Sequence, residues 1–418
     1  MPKVYHLTDT LPYSHSVWGG AEQLTAKYIS ALRKRESGKH FIVCLPPAAP
    51  EILQDAYFVK IASSGKIGQT ITNALHFDVI SWWGLYKLFS RLPTDGIIHI
   101  HNCKYLFFPA IFANALTRRT MVMTMYDYWI LCPKVSLDRH GTFCSFMEGR
   151  VCADCYGNPM KRLKQAYHYW RRKVLNVARR RISVFHVLSR SSGDILKKSG
   201  IADYRLKILP QIVEREQIKA IAPFKFSFPA VLFSGWMEQK KGLHVAVDAF
   251  GEIVSKHPTA RLVVAKFKAD ESYEEQVRAR IHELGLQERV LFYDRLTRNE
   301  FIAFLKGCDC LIIPEQWENM SPVILCEAMC ASRPVIASRV GGIPEFISDG
   351  HSGILVDRTD VNGFARAMDS LLSSETKRLA MGNNARHAAE AIFDETRILD
   401  GFDEMYRKAY PREKTALA

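Results

Sequence analysis

At 418 residues the chain is too long for one ordinary hydrophobic core, so two domains are expected. Hydrophobic content of 48% with 24% charged residues excludes a disordered chain, and ten cysteines over this length exclude a disulfide-dense scaffold. Lys and Arg outnumber Asp and Glu 57 to 43, and the formal charge of +14 favours an anionic partner: a phosphorylated ligand, acidic lipid or nucleic acid.

In chain order, Val4 to Thr8 reads as a strand entered directly, without a leader-like segment. A loop from Leu11 to Gly20 carries Trp18-Gly19-Gly20. Ala21 to Leu32 then places apolar residues at Ala21, Leu24, Tyr28, Ala31 and Leu32, which is helical spacing, with Glu22 in the first turn. His40 to Leu45, Ile97 to Ile100, Thr120 to Met125, Ser183 to Leu188 and Leu206 to Leu209 continue as short, mostly apolar strands, as a parallel sheet covered on both faces requires. The longest uncharged apolar stretch, Tyr105 to Thr117, contains Pro109 and is too short to cross a bilayer. Gln211 to Pro229 is mixed in character and carries Pro223 and Pro229, so the linker is placed there.

The second half repeats the alternation, with strands at Ala230 to Ser234, Arg261 to Ala265, Arg289 to Tyr293, Cys310 to Ile313, Pro334 to Ser338 and Gly353 to Val356. Helical segments such as Gly242 to Lys256 and Tyr273 to Leu284 lie between them. The expected fold class is α/β: an amino-terminal doubly wound domain over 1–212 and a carboxyl-terminal one over 213–397. A helix at about 398–418 is expected to return to the first domain. Two such domains leave a cleft between their carboxyl-end strand edges, a common place for a ligand.

Three loops at those edges can carry chemistry. Gly19-Gly20 follows a strand and opens a helix, so it can bring backbone close to a ligand. Phe233-Ser-Gly-Trp-Met-Glu-Gln-Lys-Lys-Gly242 follows the first strand of the second half and sets Lys241 where a helix begins. The stretch Pro314 to Met329 runs from a buried strand through a polar loop into a helix whose N–H groups suit a diphosphate, with Glu327 about one turn in. Read alone, each is also an ordinary turn or a solvated side chain.

Together these segments resemble the retaining glycosyltransferases of family 4, within the glycosyl transferases group 1, which have the GT-B architecture of two Rossmann-like doubly wound domains facing a central cleft. The resemblance rests on Gly19-Gly-Ala-Glu22, Gly235 with Lys241-Gly242, the loop ending in Glu327-Ala-Met, and Pro334-Val-Ile-Ala-Ser with Gly341-Gly-Ile-Pro-Glu345 and Asp349-Gly-His-Ser-Gly353. It covers nearly the whole chain and is strongest from about Ala230 to Asp357. It implies sugar transfer with retention from a UDP- or GDP-sugar held by the second domain to a glycan or lipid-linked acceptor at the first, in cell-surface polysaccharide synthesis. No cofactor or metal is implied at the diphosphate. By position, Glu327 matches the second glutamate of the family's E-x7-E motif, for the donor ribose. Lys241 matches the lysine that meets the diphosphate, and Gly20 the glycine-loop contact. Gly19, Gly235 and the backbone of Met320, Ser321, Pro322 and Val323 complete the implied donor site.

The chain departs from that pattern three times. Asn319 stands eight residues before Glu327, with Glu318 one residue further back, so either faces the sugar. Trp236 occupies the place of an arginine, which leaves Lys240 or Lys266 to supply the missing charge. Tyr126-Asp127-Tyr-Trp129 replaces a His-Asp-Tyr-Trp run, which leaves Tyr126 and Asp127 as candidates, and His101 is either a substitute for the missing histidine or a core or strand-end histidine. Two other classes compete: a non-catalytic nucleotide-sugar binder and a nucleotide-sugar epimerase of the same architecture.

Cys132, Cys144, Cys152 and Cys155 follow the spacing C-x11-C-x7-C-x2-C, which suits a structural zinc; free thiols, disulfides and an iron–sulfur cluster remain the other readings. Lys161 to Arg181 holds nine basic residues and no acid, with Leu163, Tyr167, Trp170, Val174 and Val177 at helical spacing. This is either a helix lying on anionic lipid or a domain helix with its stripe in the core. Nucleic acid is not expected, since no recognition module accompanies it. A cytoplasmic location, peripheral to the membrane, fits these features.

Overall fold

The computed structural model describes residues 2–12, 19–46, 55–60, 78–101, 103, 105–139, 142–145, 152, 155 and 161–410, with the side chains of 161–165 and 268–269 left aside. Trp18, Met160, the side chain of Leu163 and the tail beyond Tyr410 lie outside the described residues. The amino-terminal half builds β1 (Val4–Leu7), β2 (His40–Cys44), β3 (Ala56–Phe58), β4 (Ile97–Ile100), β5 (Thr120–Thr124), a small antiparallel hairpin β6 (Asp138–Arg139) and β7 (Thr142–Phe143), then β8 (Val184–Val187) and β9 (Leu206–Ile208). Apart from the hairpin, these strands form one parallel sheet in the order β3-β2-β1-β4-β5-β8-β9. Its central strands are buried along their whole length, which is why they read as apolar runs and not as alternation.

The second half builds β10 (Ala230–Met237), β11 (Arg261–Ala269), β12 (Val290–Asp294), β13 (Cys310–Ile313), β14 (Val335–Ser338) and β15 (Ile354–Val356). They form a second parallel sheet in the order β12-β11-β10-β13-β14-β15. The doubly wound α/β class read from the sequence is thus present twice. In each sheet the order reverses beside the first strand, at β1/β4 and at β10/β13, and such a switch point opens a crevice at the carboxyl ends. β10 runs three residues beyond the expected Ser234, and its pairing with β11 is irregular between Gly235 and Met237, a bulge that re-aims the chain there.

One core wraps the first sheet, and two others cover the two faces of the second. The helix Glu395–Ala409 packs on the first sheet: Ile398, Phe402, Met405 and Tyr406 join its core, and Gly401 passes so close to Leu209 that a Cβ would lie 2.3 Å from its Cδ2. Helix starts are fixed by side chains in several places, among them Ser189 and Thr297, each in a reciprocal capping box. The halves are also stitched polar to polar. The Glu345 carboxylate accepts from the N–H groups of Arg190 and Ser191, both at 2.7 Å, and buried Gln211 donates to Ser321 Oγ at 2.9 Å.

Candidate active site

Two glycines set the loop that follows β13. Gly242 has φ +76°, and a Cβ there would lie 1.9 Å from the Pro314 carbonyl oxygen, so the lysine loop can approach β13 only with glycine. Gly341 has φ +53°, and a Cβ there would lie 2.1 Å from the Asn319 carbonyl. Its N–H donates to Glu318 Oε2 at 2.8 Å, and the Gly342 N–H donates to the Asn319 carbonyl at 2.8 Å. The loop 314–322 is therefore clamped between two glycine turns.

Inside it lies a buried carboxylate that the sequence did not single out. Glu315, 3% exposed, accepts from Lys241 Nζ at 2.7 Å, from Asn319 Nδ2 at 3.0 Å and from the Trp317 indole N–H. The ammonium groups of Lys241 and Lys240 lie 5.5 and 5.6 Å from the Trp317 ring centre. Gly235 rests against the stem of Lys241, and Lys240 pairs with Glu238 at 2.7 Å. Half-buried Trp236 sits at the bulge. Lys266 is not brought into this group: one strand away on β11, it pairs with Glu274 at 2.7 Å and Asp294 at 3.4 Å.

The two loop candidates divide as follows. Asn319 is buried and turned inward, its Oδ1 accepting from the Ser321 N–H at 3.2 Å, whereas Glu318 stays half-buried at the glycine turn. Met320 and Ser321 are buried beneath it, and Pro322 precedes the helix Val323–Cys330, whose first turn has no side-chain cap. The helix Gly20–Arg35, preceded by Gly19, likewise has none. A Cβ on Gly20 would lie 3.5 Å from Val323 Cγ2, so two helix starts, one from each half, converge. Their positive ends suit a diphosphate between them.

Glu327, 2% exposed, lies one turn into the second of these helices. Arg298 reaches its Oε1 at 2.6 Å, and Lys27, from the other half, lies 3.5 Å from the same oxygen and 3.4 Å from Glu214. Burial opposes the charge of Glu327, but Arg298 and Lys27 outweigh it and hold its pKa below the ordinary carboxylate value. Neither cation was singled out from the sequence. Lys27 had a signal, since it falls on the Leu24, Tyr28, Ala31 stripe of its helix. Arg298 had none, being far from Glu327 along the chain.

On the first half, Tyr126 and Asp127 follow β5 at the facing edge, both half-buried. Asp127 accepts from the Trp129 N–H at 2.8 Å; burial pushes its carboxyl up to about 6, against the pull of that bond and of Lys240. His101 does not face the cleft openly. It is 1% exposed and belongs to a hydrogen-bonded row: His40 to His6 at 3.0 Å, His6 to His101 at 2.9 Å, His101 to the Tyr126 hydroxyl at 2.9 Å, and that hydroxyl to Thr25 at 3.1 Å. Burial lowers these pKa values, to about 3 for His101 and about 4 for His40, with neighbouring imidazoles adding to it at His6 and His101, so the row is neutral. Among the described residues, His6, His99 and His101 are the one group with ligand atoms gathered within 4.8 Å, yet all six ring nitrogens already have hydrogen-bond partners. The cysteines are not drawn to that spacing: Cys132, Cys144 and Cys152 are buried and Cys155 half-buried. Cys144 and Cys155 are close enough to add to the burial that raises the Cys132 thiol.

Residues 214–388 match the family model of the glycosyl transferases group 1. Over those residues the chain is similar to the glycosyl transferases of group 1. Among curated relatives, the D-inositol 3-phosphate glycosyltransferase of Acidothermus cellulolyticus is 30% identical over 226 residues, 51% of the chain and 50% of the relative. Spore coat protein SA of Bacillus subtilis is 29% identical over 183 residues, 43% and 48% respectively. The chain thus spans about half the length of these relatives. Solved structures match end to end. Anabaena Alr3699/HepE in complex with UDP-glucose gives a TM-score of 0.70 at 17% identity, covering 96% of this chain and 98% of that one. Sucrose-phosphate synthase of Thermosynechococcus elongatus gives 0.71 at 15% identity, covering 100% of both. The chain has the GT-B fold.

Proposed function

We propose that this chain is a glycosyltransferase that moves a sugar, with retention, from a UDP- or GDP-sugar to a glycan or lipid-linked acceptor in cell-surface polysaccharide synthesis. The observation that carries the reading is the meeting, at one cleft, of Lys241, the starts of the helices Gly20–Arg35 and Val323–Cys330, and buried Glu327. The ammonium and the helix starts supply positive charge where a diphosphate would leave, without calling on a metal ion there. Glu327 offers a fixed anionic acceptor for ribose hydroxyls. Tyr126 and Asp127 face them from the acceptor half. In the transfer, the acceptor oxygen bonds to the anomeric carbon as the sugar–diphosphate bond breaks on the same face. The acceptor proton passes to the leaving diphosphate, so the protein's work is positioning and charge stabilisation. That the HepE neighbour was solved with UDP-glucose supports a nucleotide-sugar donor. The spacing of Cys132, Cys144, Cys152 and Cys155 in the sequence supports a structural zinc as a brace of the acceptor-side loop, which would have to draw the four sulfurs closer than they stand here; metal analysis of reduced protein should then find zinc. The primary test is turnover of a panel of UDP-, GDP- and ADP-sugars. Release of nucleotide from one donor supports the reading, tight binding without release points to a non-catalytic binder, and epimerised donor points to an epimerase.

A further inference from the structure

Three crossover helices of the first half share one face of its sheet. Val79–Arg91 joins β3 to β4, Phe107–Thr117 joins β4 to β5, and Lys161–Arg180 joins β5 to β8. Each connects parallel strands while stepping the same way across the sheet, so the right-handed crossover rule sets all three side by side. The first packs on the second. The third is tied to the second through Trp129: Arg171 donates to the Trp129 carbonyl at 3.0 Å, and the Trp129 ring stands edge-on to Phe107 at 4.9 Å.

None of the three contains an Asp or Glu. Their outward faces carry large apolar side chains: Ile80, Trp83, Leu116, Trp170, Val174 and Val177 are all exposed, Trp170 at 63% and Leu116 at 62%. In the third helix the apolar stripe is turned out, while Leu175, Ala178 and the guanidinium of Arg171 are buried. Exposed cations frame the stripe, namely Lys87, Arg118, Arg172, Lys173 and Arg180. Lys87 lies 5.0 Å from the Trp83 ring centre and Lys173 lies 5.5 Å from that of Trp170.

We propose that this three-helix face docks on an anionic lipid bilayer. Apolar side chains with tryptophan at the boundary and cations around them match the layered chemistry of an acidic leaflet. A second copy seated on the same face would set basic helix against basic helix, with no acid on either to answer it. Trp129, which joins two of these helices, lies two residues from Asp127, so the docked face is connected directly to the acceptor side of the cleft. Only the assignment of the docked lipid leaflet as the source of a lipid-linked acceptor rests on the proposed function; the docking itself does not.

The test is flotation of the full chain with vesicles of phosphatidylcholine alone and with added phosphatidylglycerol, without any donor sugar. The expected result is recovery with the acidic vesicles, reversed by salt, and a blue shift of tryptophan emission. The variant Trp170→Asp/Val177→Asp should lose flotation while keeping its melting temperature and UDP binding, since both residues are already exposed. Lys173→Glu should weaken acidic-vesicle binding by roughly fivefold or more. No flotation with acidic vesicles would overturn the proposal. So would flotation unchanged in both variants, or a concentration-dependent dimer that the same variants abolish without vesicle binding. Flotation in a chain that turns over no nucleotide sugar would leave docking standing and overturn only the acceptor assignment.

Discussion

Glu315→Gln is the most informative single change, because the reasoning fixes its sign. The carboxylate is buried and accepts from Lys241 at 2.7 Å, with the Lys241 side chain 22% exposed. The glutamine amide keeps the shape, but its one oxygen can serve either the Oε1 side, met by Lys241 and Asn319, or the Oε2 side, met by the Trp317 N–H, and the counter-charge of the lysine is removed. Removing one partner of a fully buried pair costs about 3–5 kcal/mol, but Lys241 reaches solvent and an acceptor remains, so about 1–2 kcal/mol of stability should go. The same change leaves one more net positive charge beside the diphosphate position. At an effective dielectric near 20, unit charges several ångströms apart interact by a few kcal/mol, and screening in an open cleft reduces this to about 1 kcal/mol, or roughly fivefold. Isothermal titration of UDP into wild type and variant should therefore show tighter binding in the variant, with the gain shrinking as salt is raised. Weaker or unchanged binding by a folded Glu315→Gln protein would refute the assignment of Lys241 to the diphosphate.

Three further outcomes follow. Gly242→Ala forces a left-handed φ on a residue with a Cβ and drives that Cβ into the Pro314 carbonyl. A loss of about 2–4 kcal/mol, read as a lower midpoint in urea, is expected, together with weaker donor binding because Lys241 moves with the turn. Glu327 has a depressed pKa in the folded chain, so its contribution is present above the ordinary carboxylate pKa of 4.5 and is lost as pH falls through the folded value. Glu327→Gln should thus lower the melting temperature at pH 7 and leave a smaller difference from wild type near pH 3. Asp127 is the opposite case: its carboxyl is raised to about 6, so ionisation costs stability as pH rises from the unfolded value to about 6, above which the cost is constant. With the ionised form at work in the cleft, kcat/KM should fall as pH drops through about 6. Asp127→Asn should lack that limb yet melt no lower than wild type at pH 8.

The two sheets were readable because each buried strand is a short apolar run, from Val4-Tyr-His-Leu7 to Ile354-Leu-Val356, punctuated by glycine and proline. The helices Val79–Arg91 and Phe107–Thr117 were not assigned. Their apolar residues wrap most of the helix and show no clear stripe, and Pro109 falls in the first turn, where a helix tolerates it. Lys241 and Glu327 stood out through motif spacing. Their partners did not, because Glu315, Arg298 and Lys27 acquire meaning only when loop, neighbouring helix and opposite half close on one another. The histidine row was invisible for the same reason: His6, His40 and His101 come from β1, β2 and the end of β4, and register alone aligns them. Spacing in Lys161–Arg180 announced an apolar stripe but not its direction, which depends on Arg171 being drawn under Trp129.

The central claim is that sugar leaves a nucleotide diphosphate held by Lys241 between two helix starts. Donor turnover by Lys241→Ala, measured beside wild type on the donor the wild type accepts, tests it most directly. Loss of a charge-assisted contact that strengthens as the diphosphate leaves should cost about 2–4 kcal/mol, a fall of roughly thirtyfold to a thousandfold in kcat/KM with the fold intact by circular dichroism. Turnover equal to wild type in that folded variant would contradict it.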